Sequence, residues 1–544
     1  MGTLLSTRKK RSPRSEDHTT QTNEDMRNLH KSIVVASMAA MAATGTNAQS
    51  IGAACGCPPV NSRTPVNIST LVDATTKNLL NANTTLTCNN LYTLDTRMYV
   101  NDGQDLFVEP GTVVKANSNP GAAHAIIVAR GGQIWANGSE ACPIIFTASA
   151  DPLDGSYSVL NRGQWGSLIL LGRAYTNKRT ADGDPTATAT NGVGTIEGLA
   201  AGDGRHLYGM PVGQEMNEDN SGVLRYVSLR HGGQIIGANN EINGLTMGGV
   251  GSATTIDHVE VVSNLDDAFE WFGGTVSCKN LVAYHCDDDY IDYDQGWNGK
   301  VQFFYGVQGP DNSGGANNQG DNGFECDGDD AATNIGNGGI SSNPIIYNAT
   351  IINRNLNDEA IEAKERTLGT IANSIFARAA QGLNMTTAVE TSWNGGQFNV
   401  KNCTFQEVTN PLRINSVVVS SGAAFTKFTT TDGNLIVGAN SLIDATYTMT
   451  QPGNVLTDRV NPVPPAGTAS TTLTPPVDGF FTGAKYRGAF QPGAQPWTTG
   501  WTLASQIGLD VSASAGCAGD INRDGIINIT DFNLLSANFG GNCF

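Results

Sequence analysis

From Cys517 the chain reads CAGDINRDGIINITD, which sets oxygen-bearing side chains at alternate positions of a short stretch. Asp520, Asn522, Asp524, Asn528 and Asp531 offer side-chain oxygens, and Ile526 a backbone carbonyl, in the spacing that wraps one Ca2+ ion. Gly525 permits the sharp turn of such a loop, and the three aspartates repel one another until a divalent cation offsets them. A second concentration of acid lies upstream. Glu270, Asp292, Glu325 and Glu362 each follow the apolar residue of a recurring phrase, so they fall into one column and form a candidate second metal or substrate region. Asp266, Asp267, Asp287, Asp288, Asp289, Asp294, Asp327, Asp329 and Asp330 add carboxylates nearby. Lys364 and Arg366, in EAIEAKER, are the candidates for catalysis. They are the residue types that remove a proton beside a cation-neutralised uronate, and a salt-bridged surface would carry the same string.

These groups need a scaffold, and the scaffold is written as a repeat. The phrases NGLT, DAFE, DYID, NGFE, EAIE and QGLN place an apolar residue at Leu245, Phe269, Ile291, Phe324, Ile361 and Leu383, at intervals of 24, 22, 33, 37 and 22. A second marker opens an apolar strand before four of these, at His258, Asn280, Asn348 and Asn373, and Asn402 opens one more strand. A period near 22 is one coil of a parallel β-helix, in which like residues stack about 4.8 Å apart. The longer intervals are coils with Gly/Asn-rich insertions at 310–320 and 331–342. The apolar series is expected to face inward, and the Asn/His series to form a ladder whose amides bond one another. A two-sheet sandwich has no reason to keep this phase. Trp271, Phe272, Tyr284, Tyr290, Tyr293 and Trp297 interleave the acidic stretch and offer a sugar-stacking platform, with Phe272 and Tyr284 turned to the core.

The segments VEPGTVVKA, IIVARGGQIWANGSEACPIIFTAS, GQWGSLILLGRA, DDAFEWFGGTVSCKNLVAYHCDDDYIDYDQGWNGKVQF and DGFFTGAKYRGAFQP occur in that order along residues 88–505. They resemble a widespread family of exported bacterial proteins of uncharacterised function. That resemblance implies a right-handed parallel β-helix at the cell surface and carries no activity with it. The C-terminal loop resembles an EF-hand, and more closely half of a type I dockerin, with a helix following from Thr530 to Ala537. A complete dockerin carries two such loops and this chain shows one, which counts against a cohesin-like partner. Cys517 and Cys543 bracket the unit and are placed to staple it.

The fold class is therefore all-β: a right-handed parallel β-helix with a small C-terminal EF-hand-like, dockerin-like loop-helix module. The expected divisions are a signal peptide at 1–48, an N-terminal extension and cap at 49–98, the β-helix at 99–411, an irregular β region with a Pro/Thr-rich strap at 412–512, and the calcium module at 513–544. The signal consists of a basic stretch, the apolar run Ile33 to Gly45 and small residues at the cut; Met26 is an alternative start. Export puts the protein outside the cell or on its surface. With 32 basic against 50 acidic residues the net charge is −18, which argues against nucleic acid. No segment is long and apolar enough for a transmembrane helix. There is no GxSxG, CxxC or phosphate-binding Gly loop. The first functional expectation is a Ca2+-stabilised binding, display or adhesive module that contacts polysaccharide or the cell envelope. The alternatives are a Ca2+-dependent lyase or other carbohydrate-active enzyme on acidic polysaccharide, and a structural surface-layer or filament subunit.

Overall fold

The computed structural model describes residues 51–510 except 120–122, 180–187, 189, 197, 201, 236–241, 310–320, 330–339, 354–358, 444–459, 468–470, 472 and 508–509. The signal segment 1–48, the loop ligands Asp520, Asn522, Asp524, Ile526, Asn528 and Asp531, and Cys517 with Cys543 lie outside the described residues.

Short runs of β-branched and aromatic residues, punctuated by Gly and Asn, fold into stacked coils with parallel pairing. Each central coil gives one short strand to a flat eleven-stranded sheet and one long, bent strand to a seventeen-stranded sheet. Phe269–Phe272 is followed by Ser277–Tyr284, then Ile291–Asp294 by Lys300–Val307. Both pairs are in parallel register. The chain is a right-handed parallel β-helix. Coils begin before residue 99: Thr64–Asn67 pairs with Asn90–Leu94, and that strand with Val113–Ala116. The expected boundary was late because these first strands are half-exposed and Thr/Asn-rich, without the apolar run that marks later coils. At the far end the coils outlast 411, since Leu435–Val437 pairs with Thr404–Gln406.

The apolar series forms a continuous inward column. Leu245, Phe269, Ile291, Phe324, Ile361 and Leu383 pair in turn, with Leu412 next, and all seven are fully buried. Each such side chain contributes roughly 1.5–3 kcal/mol of burial. The Asn/His series marks the bend of the long strands. His258, Asn280, Asn348, Asn373 and Asn402 all have positive φ, between 51° and 60°, and Tyr226 and Phe303 occupy the same step. Asn tolerates this left-handed conformation better than other side chains, which explains its recurrence. Its amides do not bond one another as a ladder. Asn348 donates to the carbonyl of Tyr486 and Asn373 to that of Leu473. Their partners lie in the C-terminal strap, because the bend faces outward and the strap runs over it.

Two segments cover the outside of the coils. The strap buries Phe490, Trp501 and Leu503 against Val282, Tyr305 and Ile352, and Glu260 accepts from the Leu503 amide at 2.8 Å. Between Leu168–Leu171 and Gly222–Arg230 lies an excursion with a small antiparallel pair, Val193–Thr195 and Leu207–Gly209. Its Ile196, Leu199 and Tyr208 pack on Tyr99, Ile127, Ile169 and Phe272 of the flat sheet. Disulfides Cys55–Cys142 and Cys57–Cys88 hold the first coils, while Cys278, Cys286, Cys326 and Cys403 are buried thiols. No helix among the described residues is long and apolar enough to cross a membrane.

Candidate functional site

The outward position next to the buried column changes character along the helix axis. It runs Tyr99, Ile127, Ile169, Thr246, Glu270, Asp292, Glu325, Glu362, Asn384 and Arg413, each paired with the next. Where it is apolar the excursion covers it. Where it is acidic the face is left to other chemistry. The four expected carboxylates thus stand together in one column. One edge is walled by Tyr175–Arg179, whose backbone bonds Gly274 and Gln295 of successive coils and whose Arg179 pairs with Asp329 at 2.8 Å.

A second polar column lies two residues before the buried one, at the first letter of each repeated phrase: Asn243, Asp267, Asp289, Asn322, Glu359 and Gln381. The Oδ1 of Asp267 accepts from the Asp289 amide at 2.9 Å, and Asp289 accepts from the Asn322 amide. Asp267, Glu270 and Asp292 bring carboxylate oxygens within 4.8 Å of one another, as do Asp266, Asp267 and Asp288. Among the described residues no Lys or Arg comes within ion-pair distance of Asp267 or Asp292. Burial, then the charges of Asp266, Asp292, Asp288 and Glu270, hold the Asp267 carboxyl well above the usual carboxylate range. Burial followed by Glu325, Asp327 and Asp294 does the same to Asp292.

These residues fit a hard divalent cation. The Asn243 amide donates to Glu270, while its own Oδ1, in a residue only 3% exposed, has no hydrogen-bond partner. A buried Oδ1 of Asp292 lacks one as well. Orphaned oxygens beside crowded carboxylates are what an oxygen-ligating ion satisfies.

Farther along, a lysine enters. Lys364 bonds Glu325 and lies 3.8 Å from both Asp327 and Glu362. Burial works against its charge, but Glu325 and Asp327 outweigh it and push its pKa up. Glu325 is half-buried, and its desolvation works upward, yet a proton shared from Asp289 and the Lys364 charge keep it below its ordinary value. Asp327 is pushed up to about 9 by burial and by Glu325. Arg366 is tied to Asp329 at 3.4 Å, with its Nε buried. Both Lys364 and Arg366 are ion-pair partners of carboxylates here.

The aromatic platform is not there. Trp271, Tyr284, Tyr290, Tyr293 and Trp297 are fully buried and Phe272 is 8% exposed. Trp271 and Trp297 stack on each other at 4.6 Å inside the coil. Strand alternation turns Trp271 and Tyr293 inward together with Phe269 and Ile291, and the turn residues Tyr290 and Trp297 fold over the ends of the core. Asn243 and Asn322 join the site beyond the carboxylates that the sequence singles out, and their signal is that they open two of the repeated phrases.

A sequence profile described as a pectate-lyase-like β-helix domain matches residues 78–445. The chain belongs to the pectate-lyase-like β-helix family. That span covers the flat sheet from its first coils and includes the whole acidic face. No curated protein matches the sequence. Among solved structures, the chain is similar to the catalytic unit of a thermostable GH87 alpha-1,3-glucanase from Streptomyces thermodiastaticus strain HF3-3, at 10% identity and a TM-score of 0.24. The alignment covers 65% of this chain and 62% of that one.

Proposed function

We propose that the protein is an exported β-helix that binds acidic polysaccharide through a divalent cation on its flat sheet and does not cleave it. The observation that carries this is the register column Glu270, Asp292, Glu325 and Glu362 with Asp267 beside it. Calcium suits the donor set, because it takes six to eight hard oxygens in a flexible geometry. Asp267, Glu270 and Asp292, with Asn243, would hold it, and a bound ion would neutralise the carboxylate of a uronate. Membership in a family named for pectate lyase supports carbohydrate as the ligand class. A lyase base must lose its proton near working pH, whereas Lys364 is held charged by three carboxylates. The C-terminal loop of Asp520, Asn522, Asp524, Ile526, Asn528 and Asp531 is proposed as a separate Ca2+ site. Binding of oligogalacturonate to the full chain, with and without Ca2+, tests the reading.

One observation favours a second reading, a carbohydrate-active hydrolase. Glu325 and Asp327 are neighbours whose carboxyls are pushed in opposite directions, which is how paired-carboxylate enzymes separate acid from base. New reducing ends on an acidic polysaccharide, lost in Asp327→Asn, would favour it.

A further inference from the structure

At the N-terminal end of the same sheet two arginines line one cleft. We propose that Arg130 and Arg173 form an anion subsite for the carboxylate or sulfate of a short or terminal acidic sugar, in a cleft at the N-terminal end of the flat sheet. The inference is independent of the cation site. The cleft has a volume of about 800 Å3, within the range of small-molecule sites. Arg130 follows the strand Ile126–Val128 and Arg173 follows Leu168–Leu171, so neighbouring coils deliver both guanidinium groups to one place. Arg173 Nη2 reaches the Arg130 carbonyl at 3.4 Å.

Their charges are poorly balanced. Arg173 pairs with Asp102 at 2.9 Å, and that carboxylate is 72% exposed. Arg130 donates through Nη1 to the Gly209 carbonyl at 2.8 Å; among the described residues no carboxylate comes within ion-pair distance of it. Its Nε and Nη2 have no partner there either. Burial and the neighbouring Arg173 both disfavour the Arg130 charge, a strain that a bound anion relieves. Gly131, at φ 85°, leaves the gap in which Asp102 and Arg173 meet; a Cβ there would collide with Asp102 Oδ1 and Arg173 Nη2. Leu207, Met210 and Pro211 supply an apolar wall for the C–H face of a sugar ring. Guanidinium forks read carboxylate or sulfate oxygens bidentately, whereas a neutral sugar leaves the Arg130 charge unmet.

Calorimetry on the full chain in EDTA, which removes the cation-dependent site from play, tests this with three probes: digalacturonate, a sulfated disaccharide and neutral digalactose. At least one anionic probe should bind and the neutral one should not; which of the two binds identifies the anion. Arg130→Gln should weaken binding at least tenfold, and Arg378→Gln, an arginine on a distant coil paired with Glu407, should leave it unchanged. Arg173→Gln provides a second variant should Arg130→Gln lower the thermal midpoint. Equal affinity for the neutral probe, or wild-type affinity in both arginine variants, would overturn the proposal.

Discussion

Glu270 and Asp292 stand at the same position of successive coils in parallel register, and Asp267 brings a third carboxylate oxygen within 4.8 Å of theirs. Like charges about 4 Å apart repel by about 1 kcal/mol in water and about 4 at a surface-like dielectric. Removing one of the three should therefore help the cation-free protein while abolishing its response to the ion. In a chain whose C-terminal loop is silenced by Asp524→Ala, Ca2+ should raise the thermal midpoint by roughly 1–4 °C. Asp267→Asn should raise the midpoint in EDTA and remove the Ca2+ increment. Scanning calorimetry reads both effects.

The same face predicts a pH dependence with a definite sign. Asp267, Asp289 and Asp292 are raised well above ordinary carboxylates, and Asp327 to about 9. Folded pKa values above the unfolded ones mean that this contribution is fully present below about pH 4 and is lost as pH rises through the folded values. Glu325, lowered instead, contributes in the opposite sense above its unfolded value, but it is one group against four. In EDTA, stability should fall between about pH 5 and pH 9. Millimolar Ca2+ should flatten that slope.

Lys364 is the counter-charge for Glu325, Asp327 and Glu362. Lys364→Met should cost about 1–2 kcal/mol at pH 8, a modest figure because a third of the side chain meets solvent. The cost should shrink at pH 5, where more of the carboxyls are protonated. Denaturant unfolding at the two pH values separates this from a lost catalytic base, which would leave stability unchanged.

At the bend of the long strands, Asn373 combines φ of 51° with a hydrogen bond to the strap. Asn373→Ala should cost about 2–3 kcal/mol, since it loses the bond and puts a residue less tolerant than Asn into the left-handed region. Asn373→Gly loses the bond but keeps the conformation, and it should be milder by about 1 kcal/mol. Equal costs would show that the backbone conformation contributes nothing.

Much of this fold can be read from the sequence because a solenoid repeats its contacts. The phrase from NGLT to QGLN carries three columns at once, and the paired register places Leu245 to Leu383 and Thr246 to Asn384 as their spacing implies. What periodicity cannot convey is the side on which a turn residue ends. Tyr290 and Trp297 lie between strands, where alternation has no force, and they fold inward. Nor does it convey which long excursion lies over which coil. The segment around Tyr208 packs on Phe272, more than sixty residues away in sequence, and so divides the flat sheet into a covered apolar half and an acidic half. Arg130 and Arg173 are separated in sequence and carry no shared phrase; only the coil geometry joins them.

The acidic face is proposed to bind polysaccharide through a cation without cleaving it. Titrating oligogalacturonate into the Asp524→Ala chain by calorimetry, in Ca2+ and then in EDTA, tests it most directly, with absorbance of unsaturated ends and reducing ends followed in the same samples. Binding should be at least tenfold tighter in Ca2+, that increment should be lost in Asp292→Asn, and no product should form. Equal affinity in Ca2+ and EDTA, or accumulation of cleaved oligomers, would contradict it.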